Sequence, residues 1–541
     1  MVFTEWSEVS PLGDLLVRSA KRYPDRKAIV MPGLAMTYSQ LLTASIDVAR
    51  GIIGSGVKPR SHIGILANNS REMVTALFGA AMANCVAVPL NARHKSSELG
   101  YIIENADISL ILTTAADTRF VDFRTILKEA LPSLGSMESS GQPLFKEAPR
   151  LRGIVLLEGD AAPGFTSREE FAQKALSVSR AQVDRIRRDA KVRDVALIIY
   201  TSGTTANPKG CLLTHEAVTR GPVERADTRF RTCEHDVTWG GGPLFHIGSL
   251  APFIGAIGTG GTYVTDIFFK AGKALELMER EKVTVIWPWF PAILQPLLDH
   301  PDFDPRRLSS IRKALLIAPP TLVQRVQQIF PEAEFMQACG MTETAGIFAL
   351  CAPNETPEQR TLSQGKPVPG VSVKIIDLDT GEEAAAGEVG EILVRGYCVM
   401  EGYYRSAEKT AEALDEDGWL HTGDLYTCGT DGELTFKGRA KDMLKVGGEN
   451  VAAIEVESYL CRHPAVRIAE VVGRADERLD EVPVAFVELQ PGESASDEEI
   501  IDFCKGRIAS YKVPRAIFFV NEGEWPMSAT KVDKRALRAR L

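Results

Sequence analysis

The chain has 541 residues, 45% hydrophobic and 25% charged, a length that calls for two to four globular domains rather than one core. Its net charge of −9 argues against a nucleic-acid binder but leaves room for a local basic pocket that takes an anionic cofactor. The nine cysteines are irregularly spaced with no Cys-x-x-Cys pair, which argues against a structural zinc site and suits reduced thiols.

The first residues lack a basic stretch followed by an apolar one, so no signal peptide is expected. Residues 11–23 and 39–53 have the apolar spacing of amphipathic helices. Strands are predicted at 62–67, 85–88, 108–112 and 154–157, with a helix rich in small residues at 72–82. This strand–helix–strand rhythm predicts an α/β domain with a largely parallel sheet. Residues 132–150 are rich in turn formers and read as an exposed connection. A buried strand at 195–199 empties into Thr201-Ser202-Gly203-Thr204-Thr205, then Pro208, Lys209 and Gly210. Small and hydroxylated residues with one lysine suit a polyphosphate, because backbone N–H groups approach the anion and lysine adds charge. A flexible surface turn is the plainer alternative, and G-x-x-x-x-G-K-[ST] occurs nowhere in the chain.

The longest uncharged run, between Asp236 and Asp266, holds eight glycines and two prolines and reads as a turn-rich core rather than a membrane span. Within it His246 stands among apolar and glycine residues, either a satisfied core histidine or a site residue. Buried strands are predicted at 283–287 and 314–317, each ending in proline-rich punctuation. Ligands sit at such strand ends, so Trp289, Phe290 and Ala318 are candidate pocket walls. In Cys339-Gly340-Met341-Thr342-Glu343-Thr344 a carboxylate follows a glycine turn and could hold Mg²⁺ near phosphates, the alternative being a solvated glutamate. Short alternating runs from 371 to 395 predict a small antiparallel β subdomain. Asp424, after Thr422-Gly423, could take both hydroxyls of a ribose or merely cap its turn, and Arg439 after Gly438 could act similarly. The last hundred residues read as a separate α/β unit: helices at 453–460 and 497–508, strands at 470–472, 484–488 and 516–520, in approximate βαβ order, and a basic amphipathic tail helix with Lys531 near its start.

Taken in order, 201–210, 340–343, 422–424, 438–442 and Lys531 resemble the motif set of the adenylate-forming superfamily of acyl- and aryl-CoA synthetases, nonribosomal adenylation domains and beetle luciferases. The resemblance spans essentially the whole chain. It implies an N-terminal domain, residues 1–438, of two αβαβα-type subdomains plus a small β subdomain, a hinge at 439–445 around Lys441, and a small mobile α/β domain at 446–541. It implies that a carboxylate attacks the α-phosphate of ATP to give acyl-AMP and pyrophosphate, and that a thiol, usually of coenzyme A, then releases AMP. Lys531 would bridge the carboxylate and the α-phosphate; Glu343 with Thr204 or Thr205 would hold Mg²⁺; Ser202, Thr204, Thr205 and Lys209 would grip pyrophosphate, with Thr201 and Gly203 completing that loop. Cys339, Gly340, Met341 and Thr342 would line the adenylate, and Asp424 and Arg439 would fix the ribose. Rotation of the small domain would bring Gly447 and Gly448 to a pantetheine tunnel, while Tyr511 and Arg515 would face the nucleotide part of coenzyme A. The acyl pocket would draw on His246, Trp289, Phe290, Ala318, Met341 and Gly346, walls that offer no partner for a charged substituent and so point to an uncharged acyl or aryl group.

The sequence departs from the family pattern at Ala206, a usual glycine, at Cys339, where an adenine-stacking tyrosine is common, and at Ile317-Ala318-Pro319-Pro320 in place of Gly-Gly-Ala. The leading reading is a cytoplasmic acid–CoA ligase with ATP, Mg²⁺ and coenzyme A, no nucleic-acid partner and no membrane span; a homodimer is compatible with it. Delivery of the acyl group to an amine or a carrier-protein thiol, or a non-catalytic homologue, are the alternatives.

Overall fold

The computed structural model describes residues 9–115, 122–135, 145–201, 207–446, 449–476, 479–528 and 531–541, with the side chains at 441, 445, 449, 450, 480, 528 and 531 also outside what is described. Ser202, Gly203, Thr204, Thr205, Ala206, Gly447 and Gly448 therefore lie outside the described residues, as do the side chains of Lys441 and Lys531.

Two large sheets dominate. One has six strands in the order Ile154–Glu158, Ile108–Thr114, His62–Leu66, Val86–Pro89, Val195–Thr201 and Lys209–Thr214, parallel except for the last. The other has seven, in the order Glu334–Met336, Lys313–Leu316, Val285–Trp289, Val237–Gly240, Thr262–Thr265, Lys27–Met31 and Leu34–Thr37, again with only the last antiparallel. Near-continuous apolar strands such as Ile63, Ile65, Leu110, Ile111 and Leu112 are what a parallel sheet covered on both faces requires. The helices Leu12–Arg22, Tyr38–Gly54, Arg71–Met82 and Ile247–Thr259 supply Leu16, Ile52, Phe78 and Phe253 to one core that also takes in strands of both sheets. Local sequence sets the helix starts: Thr37 and Gln40 form a capping box, and the Ser70 and Thr214 side chains accept the N–H groups of Met73 and Ala217. No helix among the described residues is long and apolar enough to cross a membrane; the uncharged run after Asp236 folds as strand, the 13-residue helix Ile247–Thr259 and a second strand.

The antiparallel subdomain pairs Val371–Ile376, Gly390–Gly396, Leu420–Cys428 and Leu434–Arg439 in sequence order. Past Asp442, a five-stranded sheet with its own core forms the small domain.

Several expectations need correcting. Residues 132–150 are not simply an exposed connection, because Leu134, Phe145 and Ala148 are buried in the main core. In the small domain the strands are longer than expected, Val466–Asp476 and Asp480–Leu489, and pair antiparallel; only Ile517–Phe519, following the helix Asp497–Cys504, completes a parallel βαβ unit. Alternating polar residues on the solvent face masked their length. The tail is a hairpin, Met527–Ser528 with Lys531–Val532, followed by the short helix Lys534–Arg538, so Lys531 stands on a strand rather than near a helix start. The strand expected to stop at Trp287 runs through Pro288 to Trp289, with a register shift between Ile286 and Trp289 where the proline interrupts the ladder.

Candidate active site

Thr201 ends one strand of the six-stranded sheet and Lys209 opens the next, and the two are directly paired. The phosphate-loop motif thus leaves and re-enters the sheet at one point. Residues 399–404 run beside the returning strand: Leu212 donates to the Gly402 carbonyl at 3.0 Å, and Tyr404 donates to the Gly210 carbonyl at 2.8 Å. This places the Tyr403 ring under the Lys209 ammonium, 4.0 Å from the ring centroid. The Tyr403 hydroxyl donates to Glu343 Oε1 at 2.8 Å. The Glu343 main chain is held as well, its carbonyl accepting from Met400 N–H at 2.8 Å. Lys209 and Glu343, 134 positions apart in the chain, thereby meet through one aromatic ring. Burial first, and the Glu343 carboxylate second, push the Tyr403 hydroxyl far up, so it remains a proton donor to that carboxylate. The same two causes raise the Cys211 thiol, which is fully buried here and inert as a nucleophile.

Glycine is required in the Gly340–Glu343 turn. A Cβ on Gly340 would stand 2.6 Å from the Gly346 carbonyl oxygen, and Gly346 itself has φ +100°. The Thr344 hydroxyl closes the turn, donating to that same carbonyl at 2.6 Å. Met341 and Thr342 are half-buried on its open side.

Asp424 and Arg439 face one another across adjacent strands, with Arg439 Nε 2.9 Å from Asp424 Oδ1. The Asp424 N–H donates to the Thr422 hydroxyl at 3.1 Å. Cys339 is not an open wall: it is 2% exposed in the core, its thiol pushed up mainly by burial and hydrogen-bonded to Tyr426. The small side chain that replaces an aromatic at this position has turned inward, so its thiol does not face a base.

His246 caps the Ile247–Thr259 helix. Among the described residues its buried Nε2 has no hydrogen-bond partner, and burial first, then Arg93 and His94, lower its pKa to about 4, so the ring is neutral at physiological pH. Nearby Trp289 has φ +65°, a left-handed conformation for a bulky residue, and its buried indole N–H also has no partner among the described residues. The Trp289 ring lies 3.4 Å from where a Cβ on Gly248 would stand, two residues from His246. Phe290 and Ala318 are half-buried beside this point. Two buried polar atoms without partners among the described residues, beside a strained tryptophan, make this a candidate ligand site.

In the small domain the Lys531 strand is followed at once by Lys534, which bonds Glu457 and lies 3.5 Å from Glu470, a buried ion cluster that anchors the hairpin. Tyr511 packs on the small-domain core, and Arg515 is exposed. The Ala453–Leu460 helix and the Glu449–Ala452 strand pack against Leu434–Arg439. Tyr403 was missed from sequence because Gly402-Tyr403-Tyr404 carries only a turn signal. Arg225, fully buried on the His215–Thr228 helix, had no signal beyond an arginine in an amphipathic helix.

The family model described as "AMP-binding enzyme" matches residues 16–404, and the "AMP-binding enzyme C-terminal domain" matches residues 455–531. The chain belongs to the AMP-binding enzyme family. Among curated relatives, this AMP-binding enzyme is 31% identical over 538 residues to a putative acyl-CoA synthetase, YngI, of Bacillus subtilis (98% of this chain, 96% of the relative). It is 31% identical over 551 residues to the mitochondrial medium-chain acyl-CoA ligase ACSF2 of Mus musculus (98% of this chain, 87% of the relative). Among solved structures it superposes on the anthranilate CoA ligase AuaEII in complex with anthranoyl-AMP with a TM-score of 0.84 at 28% identity, covering 100% of this chain and 99% of that one. The large N-terminal and small C-terminal domains are those of adenylate-forming enzymes. This enzyme is an AMP-forming acid–CoA ligase that uses ATP and works through an acyl-adenylate.

Proposed function

We propose that the ligase activates an uncharged acid of medium length or with a single ring, at a site where Glu343 and Lys209 handle the phosphates and His246 and Trp289 receive the carboxyl end. The carrying observation is the pair of orphaned buried nitrogens, His246 Nε2 and Trp289 Nε1, at the head of an apolar wall. An acyl carboxylate placed between them would satisfy the indole N–H and, through the neutral imidazole, lose water without facing a second buried charge. The acyl-CoA relative from mouse acts on medium-chain acids and the structural neighbour on an aryl acid, which supports an apolar acyl group.

Glu343 fits Mg²⁺. Its buried carboxylate has no lysine or arginine within 4.0 Å among the described residues, and one oxygen is held by Tyr403. Mg²⁺ favours such a site, with one protein carboxylate and the remaining positions filled by phosphate oxygens and water, and no three-residue metal cluster exists among the described residues. The ion would supply charge neutralisation at the phosphates; Glu343 would orient it, with Thr204 or Thr205 adding a hydroxyl. Lys209, Ser202, Thr204 and Thr205 would hold the departing pyrophosphate, and Asp424 would exchange its Arg439 contact for ribose hydroxyls. Lys531 would supply the cation between two anions that repel, the main barrier to adenylation.

In the second step the domain carrying Lys531 would turn about Lys441 and present Gly447 and Gly448 to the pantetheine arm, with Tyr511 and Arg515 toward the nucleotide of coenzyme A. The test is an acid panel spanning short, medium, long and aryl acids, read as acid-dependent pyrophosphate release. Best turnover of an uncharged medium or aryl acid is expected; best turnover of an amino acid would overturn the substrate assignment.

A further inference from the structure

A buried amide ties the two large sheets together beside the candidate carboxyl site. Asn69, 5% exposed, follows the His62–Leu66 strand of the six-stranded sheet and precedes the Arg71–Met82 helix. Its Nδ2 donates to the Gly242 carbonyl at 3.1 Å, to the Thr265 hydroxyl at 3.1 Å and to the Asp266 carbonyl at 3.0 Å. Its Oδ1 accepts from the Leu244 N–H at 2.8 Å. Gly242 and Leu244 belong to the segment that leaves the Val237–Gly240 strand and ends at His246, and Thr265 closes the neighbouring strand of the seven-stranded sheet.

This segment has little slack. The Thr265 hydroxyl passes the link on, donating to the Gly240 carbonyl at 2.8 Å. The His246 N–H donates to the Pro243 carbonyl at 3.1 Å, so its backbone is set by the residue between the two that Asn69 grips. A Cβ on Gly242 would stand 2.3 Å from the Ser249 hydroxyl oxygen, on the helix that His246 starts. The bonds call for a short side chain that both donates and accepts. A carboxylate would turn its second oxygen toward two carbonyls, and an aliphatic side chain would leave the Leu244 N–H and those carbonyls without their partner.

Resting on the reading that His246 and Trp289 receive the carboxyl end of the acid, we propose that Asn69 is a positioning residue for adenylation. It clamps the His246 segment of one sheet against the sheet that carries Thr201 and Lys209, and so sets the spacing between the acid's carboxyl end and the phosphates. Asn69 acts through His246 rather than on a reactant. Attack between two groups held on separate elements depends on that spacing, and a displacement of about 1 Å can cost about a hundredfold in rate. Asn69 stands on the phosphate-side sheet, so its loss frees the acid side and leaves Lys209 and Glu343 joined through Tyr403.

The test measures acid-dependent ATP–pyrophosphate exchange by full-length Asn69→Ala, His246→Ala and the double variant, with the best acid of the panel and well below each variant's Tm. Asn69→Ala is expected to lower kcat by about tenfold to a hundredfold, with the KM for ATP within about twofold of wild type. In the His246→Ala background the same substitution is expected to cost about twofold or less, because there is no imidazole left to position. Losses that multiply in the double variant overturn the proposal and make Asn69 a scaffold residue only. An unchanged kcat in Asn69→Ala overturns it too, as does a loss carried by the KM for ATP. If Asn69→Ala does not fold, Thr265→Val decides. It removes only the hydroxyl between Asn69 and Gly240, and a smaller fall in kcat that vanishes in the His246→Ala background is expected. His246→Ala with wild-type kinetics toward the acid would instead count against the carboxyl-site reading itself, and the proposal would fall with it.

Discussion

Tyr403→Phe isolates the contact that joins Lys209 to Glu343, the glutamate proposed to hold Mg²⁺. The substitution keeps the ring under the Lys209 ammonium and removes only the hydroxyl that donates to Glu343 Oε1 at 2.8 Å. A hydrogen bond to a buried carboxylate is worth about 1.5–3 kcal/mol, which is roughly a tenfold to a hundredfold change in an equilibrium that depends on it. Glu343 is 8% exposed, so little water is available to replace the lost donor. The carboxylate would then lose its fixed orientation toward Mg²⁺. The assay is acid-dependent ATP–pyrophosphate exchange titrated with Mg²⁺. Half-saturation is expected to rise about tenfold or more, with a smaller change in the rate at saturating Mg²⁺. Tyr403→Leu, which also removes the ring from Lys209, should add a rise in the KM for ATP. An unchanged Mg²⁺ titration in Tyr403→Phe would refute the reasoning, and tighter Mg²⁺ binding would mean that the tyrosine competes with the metal rather than orienting its ligand.

Lys531→Ala is expected to slow adenylation by about a hundredfold or more, the scale of losing one charge-stabilising donor, while thioester formation from supplied acyl-AMP changes far less; equal losses in both steps would remove the domain-rotation assignment. Burial holds His215 and His246 at a pKa of about 4. Because their folded-state pKa lies below the unfolded value of about 6.5, the unfolded chain binds more protons between these limits, and stability falls as pH drops from about 6.5 toward 4. His246→Asn should flatten part of that acid-side fall in Tm, and the wild-type kcat/KM profile should show no limb near pH 6.5 from His246; a limb that this substitution removes would contradict the buried, neutral assignment.

Much of this architecture is legible in the chain. β-branched runs such as 195–199 mark strands covered on both faces, and Thr201, Lys209 and Met341, which bound the two motifs, fall at strand ends. What escaped the sequence depends on distance along the chain or on side-chain direction. Tyr403 lies sixty positions from Glu343 and signals only a turn, yet its ring organises that end of the site. Cys339 falls where the family resemblance implies an adenine-facing residue, but a small apolar thiol gains more by burial beside Tyr426. Arg225 carries no distinctive signal in the sequence; the fold buries it and turns it toward the Gly346–Leu350 strand, where it donates to the Ile347 carbonyl. The small-domain strands hide in alternating polar sequence for a related reason, since one of their faces is solvated.

The measurement that bears most directly on the account is a two-stage assay on the full-length enzyme with the best acid of the panel. Without coenzyme A, the acid should drive ATP–pyrophosphate exchange and accumulate enzyme-bound acyl-AMP; on adding coenzyme A, that acyl-AMP should convert to acyl-CoA with stoichiometric AMP. Exchange that appears only when coenzyme A is present, or acyl-AMP that passes to an amine and never to coenzyme A, would contradict the account.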